Sequence, residues 1–133
     1  MKKLRFLIPV LVSALLVVTF SQCEKDHSCK MKITCNFSSN GIDTGAVASK
    51  VHIVVGKEEY ADYARADGYT DKNGVFEHTF PYPALLDVIA TYADTTLDED
   101  GNITSIKNYT GGAQIQVNAG ETTEKTILMV ETF

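Results

Sequence analysis

Met31-Lys32-Ile33-Thr34-Cys35-Asn36-Phe37 alternates without a break: Met31, Ile33, Cys35 and Phe37 are apolar, and Lys32, Thr34 and Asn36 are polar. A period of two marks a strand with one face on a core and the other in water. The stretch therefore predicts a half-buried strand and points to an all-β domain. It also bears on Cys35 within it and Cys29 just before it. Across that spacing an extended strand covers about 20 Å, whereas a disulfide needs α-carbons within about 7 Å. With the strand starting near Lys30, Cys35 reads as a buried free thiol. The competing reading is a disulfide closing a small loop.

Working outward, Ser38 to Gly45 is dense in turn formers and reads as a loop. Lys50 to Gly56 follows as a strand, with Val51, Ile53 and Val55 on one face and His52 and Val54 on the other. Lys57 to Ala66 changes pattern, placing Tyr60, Tyr63 and Ala64 at helical spacing, so a short helical excursion ended by Gly68 is expected. Thr70 to Phe76 contains Asn73-Gly74, a strong hairpin signal, and leads into a strand from Val75 to Phe80 that breaks at Pro81 and Pro83. Leu85 to Tyr92 is apolar on both faces and predicts a strand covered on both sides. Asp94 to Asn102 reads as a polar connection whose Asp98-Glu99-Asp100-Gly101-Asn102 repeats the turn chemistry of the first hairpin. A weaker strand from Ile103 to Tyr109, a Gly111-Gly112 turn, a strand from Ala113 to Val117, a turn at Asn118 to Glu121 and a strand from Thr122 to Val130 complete the chain. About seven short strands with one helical piece predict an antiparallel β-sandwich of the prealbumin or immunoglobulin type.

Ahead of this domain stand Lys2, Lys3 and Arg5, the apolar run from Phe6 to Phe20, and the small and polar residues Ser21 and Gln22. That is the layout of a cleaved export signal, and the run is shorter than the about 20 apolar residues a membrane span needs. Removing residues 1–22 from the 133-residue chain leaves one domain's worth of sequence. It also removes three basic residues and no acidic one, taking the net charge from −5 to −8. Such an acidic domain is repelled by phosphate backbones, so nucleic acid is not an expected partner.

An odd number of cysteines in an exported chain calls for a separate role for one of them. Thr19-Phe20-Ser21-Gln22-Cys23 resembles a bacterial lipoprotein signal, and Cys23-Glu24-Lys25-Asp26 resembles the Cys-x-Lys-acidic export tag of surface lipoproteins. The resemblance implies lipidation at Cys23, a tether over residues 23–29, a folded domain over residues 30–133, and an outer-membrane location facing the cell surface or the periplasm. Ordinary cleavage after Ser21 fits the same small-x-small spacing.

Candidate sites are few. Aligning Gly101 with the invariant glycine of a calcium loop puts Lys107 where a bidentate Glu is required, so no metal is expected, the alternative being a lone irregular calcium site at Asp94, Asp98 and Asp100. No cofactor motif is present. His27, His52 and His78 lie in separate segments, and no nucleophile or metalloprotease motif occurs. The chain is therefore expected to be non-enzymatic. Tyr60, Tyr63 and Tyr69 near Arg65 are the residues best suited to line a glycan or peptide groove. Their competing role is packing.

Gly45 to Ile53, Thr70-Asp71-Lys72-Asn73-Gly74-Val75-Phe76 and Ala84 to Ala90 together resemble the transthyretin-like, carboxypeptidase-regulatory-like β-sandwich. Pro81-Tyr82-Pro83 replaces the Gly-Tyr usual there, and the Tyr60 to Arg65 excursion is an insertion. Domains of this kind serve many roles. The expected function is a membrane-anchored binding or scaffolding module for another envelope component. The alternative is an extracellular glycan- or peptide-binding module that uses the excursion and loops.

Overall fold

The computed structural model describes residues 26–133, Asp62 excepted. The expected signal segment, Cys23 and the start of the tether lie outside the described residues. Eight strands make up most of the domain: β1 (Cys29–Ser39), β2 (Ile42–Val47), β3 (His52–Val55), β4 (Ala66–Tyr69), β5 (Val75–Phe80), β6 (Ala84–Leu97), β7 (Ile103–Val117) and β8 (Thr122–Thr132). Helical structure among the described residues is a single 3-10 turn at Glu58–Tyr60. The domain is thus all-β.

The strand order is β2-β1-β8-β7-β6-β3-β4, with β5 also paired to β1. β1 has β5 beside its first half, Cys29 to Thr34, and β2 beside its last residues, Asn36 to Ser39. On its other side β1 pairs in parallel with β8. This one parallel pair departs from the antiparallel expectation. Parallel partners cannot be joined by a tight hairpin, and here nearly the whole domain forms the crossover between them.

The alternation in β1 survives intact: Cys29, Met31, Ile33 and Cys35 are buried. They join Ile127 and Met129 of β8, Ile53 and Val55 of β3, Leu86, Val88 and Ala90 of β6, and Ile115 and Val117 of β7 in one core cluster. Both cysteines are free, as their places along one strand require. Burial pushes the Cys35 thiol up to about 11.

Five local expectations need correction. Gly68 does not end the helical excursion but lies inside β4. Ser38 to Gly45 is not one loop, because Asn40 and Gly41 both take positive φ (53° and 78°). They make a tight hairpin turn of the kind Asn-Gly favours, and β2 follows at once. Gly111-Gly112 is not a turn but lies inside β7. Gly111 faces the core where a Cβ would sit 2.6 Å from Ile127 Cγ2 and 2.7 Å from the Leu128 carbonyl, so β8 can approach only because that side chain is absent. Asp94 to Asn102 is not a connection throughout, since β6 runs on to Leu97 and only Asp98 to Asn102 turns. The outer face of β6 is uncovered: Leu85 and Ile89 are exposed, whereas Leu86, Val88 and Ala90 are buried.

The two Asp-Gly turns are built alike. Asp71 N–H donates to the Val75 carbonyl and Gly74 N–H to the Asp71 carbonyl. Asp98 N–H donates to the Asn102 carbonyl and Gly101 N–H to the Asp98 carbonyl. In each turn the aspartate carboxylate accepts two further backbone N–H groups, those of Asn73 and Val75 in the first and of Asp100 and Asn102 in the second. The carboxylates are turn caps.

Candidate functional site: a groove at the base of a long ribbon

β6 and β7 pair from Ala84↔Val117 to Leu97↔Ile103, with a shift of register between Thr96 and Leu97. β3 accompanies β6 only as far as Thr91, and β8 accompanies β7 only from Asn108 to Thr110. From Asp94 to Lys107 the hairpin therefore stands as a two-stranded ribbon, every residue of it exposed. Alternation puts Ala93 and Thr95 on one face, opposite Asn108 and Ile106. Leu97, Ile103 and Ile106 are exposed along the ribbon. A strand of 14 residues at ~3.3 Å each reaches about 45 Å.

The ribbon points away from the N-terminal end of the domain. The Ser28 carbonyl accepts from Gly120 N–H at 2.9 Å, and Lys30 N–H donates to the Glu121 carbonyl at 3.0 Å. Those contacts tie the start of β1 to the β7–β8 turn, at the end of β7 opposite the ribbon tip.

An aromatic cluster fixes the ribbon's base. Tyr92 and Tyr109 are cross-strand partners with ring centroids 6.1 Å apart. Phe37 of β1 meets both edge-on, at 5.8 Å and 5.0 Å. Beside them opens a shallow groove of about 630 Å³ lined by Lys50, His52, Tyr69, Tyr92, Asn108 and Thr110, among others.

Register explains the groove's polar wall. His52 stands opposite Tyr69 on β4 and opposite Thr91 on β6. With Ile53 and Val55 buried, His52 must face outward. Its ring lies 5.0 Å from that of Tyr69, tilted by 31°. Its Nε2 is 2.7 Å from Asp67 Oδ1, and Asp67 Oδ2 is 3.5 Å from an Arg65 nitrogen. The hydrogen bond from His52, with lesser help from Arg65, holds the Asp67 carboxyl below its ordinary value.

Thr70 positions the opposite lip. It is the one buried polar residue among those described. Its Oγ1 donates to the Ala48 carbonyl and accepts from Val51 N–H, both at 2.9 Å. Lys50 N–H donates to the Thr70 carbonyl. Clamped this way, Lys50 sits at φ 58°, a left-handed conformation uncommon outside glycine. Its side chain is exposed at the groove, and among the described residues no carboxylate lies within ion-pair distance of it.

The structure divides the tyrosines that the sequence grouped. Tyr69 belongs to this groove. Arg65 reaches it only through Asp67, and its other end lies 3.9 Å from Glu58. Tyr60 and Tyr63 contact each other, centroids 5.9 Å apart, and Tyr60 borders a separate hollow with Leu85 and Asp87. Lys50, His52, Tyr92 and Tyr109 were not singled out by sequence as binding residues. Their convergence depends on β3–β4 and β6–β7 register, and the signal within reach was the paired tyrosines flanking the Asp98 turn. No family model, curated protein or solved structure matches this chain.

Proposed function

We propose that this chain is a non-enzymatic lipoprotein of the bacterial cell envelope, held at the outer membrane by lipidated Cys23, that binds or scaffolds another envelope component through its ribbon. The domain is read as a β-sandwich of the transthyretin-like type, β1 and β8 forming one wall and β3, β6 and β7 the other. The single core cluster drawn from all five strands supports that reading.

The observation that carries the functional reading is the polarity of the domain. Its N-terminal end and its ribbon tip lie at opposite poles, so an anchor at Cys23 directs the ribbon outward. The ribbon's unshared strand edges and exposed Leu97, Ile103 and Ile106 are features a partner protein can cover. Asp94, Asp98, Glu99 and Asp100 make the ribbon acidic, which disfavours contact with an anionic lipid surface.

Photo-crosslinking from position 97 or 106 in intact cells tests the proposal. One discrete envelope protein should be captured from the ribbon and not from position 58 at the other pole. Capture from position 58 alone would contradict it.

The alternative, glycan or peptide binding through the Tyr60 to Arg65 excursion and loops, draws on the contacting, exposed Tyr60 and Tyr63 rings. It predicts that Tyr60→Ala and Tyr63→Ala abolish retention on a glycan or peptide array without loss of stability.

A further inference from the structure

We propose that the groove between Lys50 and Tyr69 is a binding site for a small ring compound bearing a carboxylate. The inference does not depend on lipidation or on the ribbon's partner.

Three features converge. First, the Tyr69 ring packs against the His52 ring at 5.0 Å with a 31° tilt and is 67% exposed, so a flat or cyclic ligand has an accessible aromatic ring to lie against. Second, Lys50 supplies an ammonium with no carboxylate partner among the described residues, in a domain whose net charge is strongly negative. Third, the Asn108 amide and the Thr110 hydroxyl on the ribbon side can bond ring substituents. Asp67, the acid bonded to His52, is also engaged by Arg65 and so repels an incoming carboxylate less than a free one would.

The backbone at Lys50 adds an independent argument. A residue at φ 58° is strained unless it is glycine. The turn itself needs no lysine side chain, since Thr70 holds it through backbone atoms. Keeping a long cation at a place where glycine would relax the chain is explained by what the cation meets.

The ligand's shared chemistry is a ring and a carboxylate, which a uronic sugar and an aromatic acid both provide. The test is titration of the full-length chain in detergent micelles with glucuronate and with benzoate, followed by amide chemical shifts. Glucose and benzamide serve as neutral counterparts. Saturable shifts at Lys50, Tyr69 and Thr110 are expected with at least one acid, and the responding acid identifies the source. Lys50→Gly should weaken that binding about tenfold, the scale of one charge-assisted hydrogen bond, while leaving the melting temperature equal or higher. Lys50→Arg should retain binding, and Tyr69→Ala should lose it. Neutral compounds binding as well as the acids, no response to either acid, or Lys50→Gly binding like the parent chain would each overturn the proposal.

Discussion

His52 Nε2 lies 2.7 Å from Asp67 Oδ1 across the β3–β4 pair, and this contact ties the outward face of β3 to the edge strand beside it. It is one of several places where an exposed carboxylate is worth more to the folded chain than to the unfolded one. The His52 hydrogen bond holds Asp67 below its ordinary 3.8, the Asn36 amide and the Gly45 N–H do the same for Asp43, and the Asn102 N–H leads among the groups lowering Asp98.

Because these folded-state values are depressed, the unfolded chain binds more protons between the depressed values and about 3.8, and stability rises with pH across that window. The stabilisation is fully present above the unfolded value and is lost as pH falls through the folded ones. Thermal melts should therefore show a falling midpoint below about pH 4. Asp98→Asn should flatten part of that slope. A midpoint independent of pH down to about 2 would contradict the assignment.

Gly111 and Gly112 are neighbours on opposite faces of β7, and they should respond oppositely. A Cβ at Gly111 would meet Ile127 Cγ2 at 2.6 Å and the Leu128 carbonyl at 2.7 Å, while at Gly112 the nearest atom is the Val88 carbonyl at 3.5 Å. Gly111→Ala should destabilise by about 1–3 kcal/mol through overpacking. Gly112→Ala should be neutral or stabilise by up to about 1 kcal/mol. Urea denaturation of both variants distinguishes them.

Thr70→Val keeps the shape of the side chain and deletes both of its hydrogen bonds, leaving the Val51 N–H and Ala48 carbonyl without this partner. A loss of about 1–3 kcal/mol is expected. Amide exchange at Val51 should quicken selectively. An unchanged urea midpoint would show that the clamp does not contribute.

The ribbon should be dispensable for folding. None of its residues from Asp94 to Lys107 is buried, and the Tyr92, Tyr109 and Phe37 cluster closes the core beneath it. Joining Thr95 to Ile106 through Asn-Gly should shift the melting temperature by only a few degrees, in line with exposed positions. The same variant should lose crosslinking to the partner. A collapse of the fold would mean that the ribbon has a structural role.

How far the sequence could be read depended on burial. The β1 alternation was legible because Met31, Ile33 and Cys35 face the core, and the Asp71 and Asp98 turns were legible because their chemistry is local. The length of β6 and β7 was not. Beyond Tyr92 both faces of the ribbon meet water, so no hydrophobic period is imposed on Asp94 to Leu97, and its polar residues imitate a loop. Gly111 misled for a related reason: its missing side chain serves the packing of β8 rather than a turn. The site was half legible. Tyr69 stood out as an aromatic near a cation, but its companions are His52 and Lys50, brought to it by strand register and by the Thr70 clamp. Tyr60 and Tyr63, close to it in sequence, are directed elsewhere.

The proposed anchorage of the domain at one pole, with its ribbon presented at the other, stands on acylation of Cys23. Mass spectrometry of the N-terminal peptide, taken from chain recovered in the membrane fraction of intact cells, tests it most directly. A peptide beginning at Cys23 and carrying acyl chains is expected. An unmodified peptide beginning at Gln22 would contradict it.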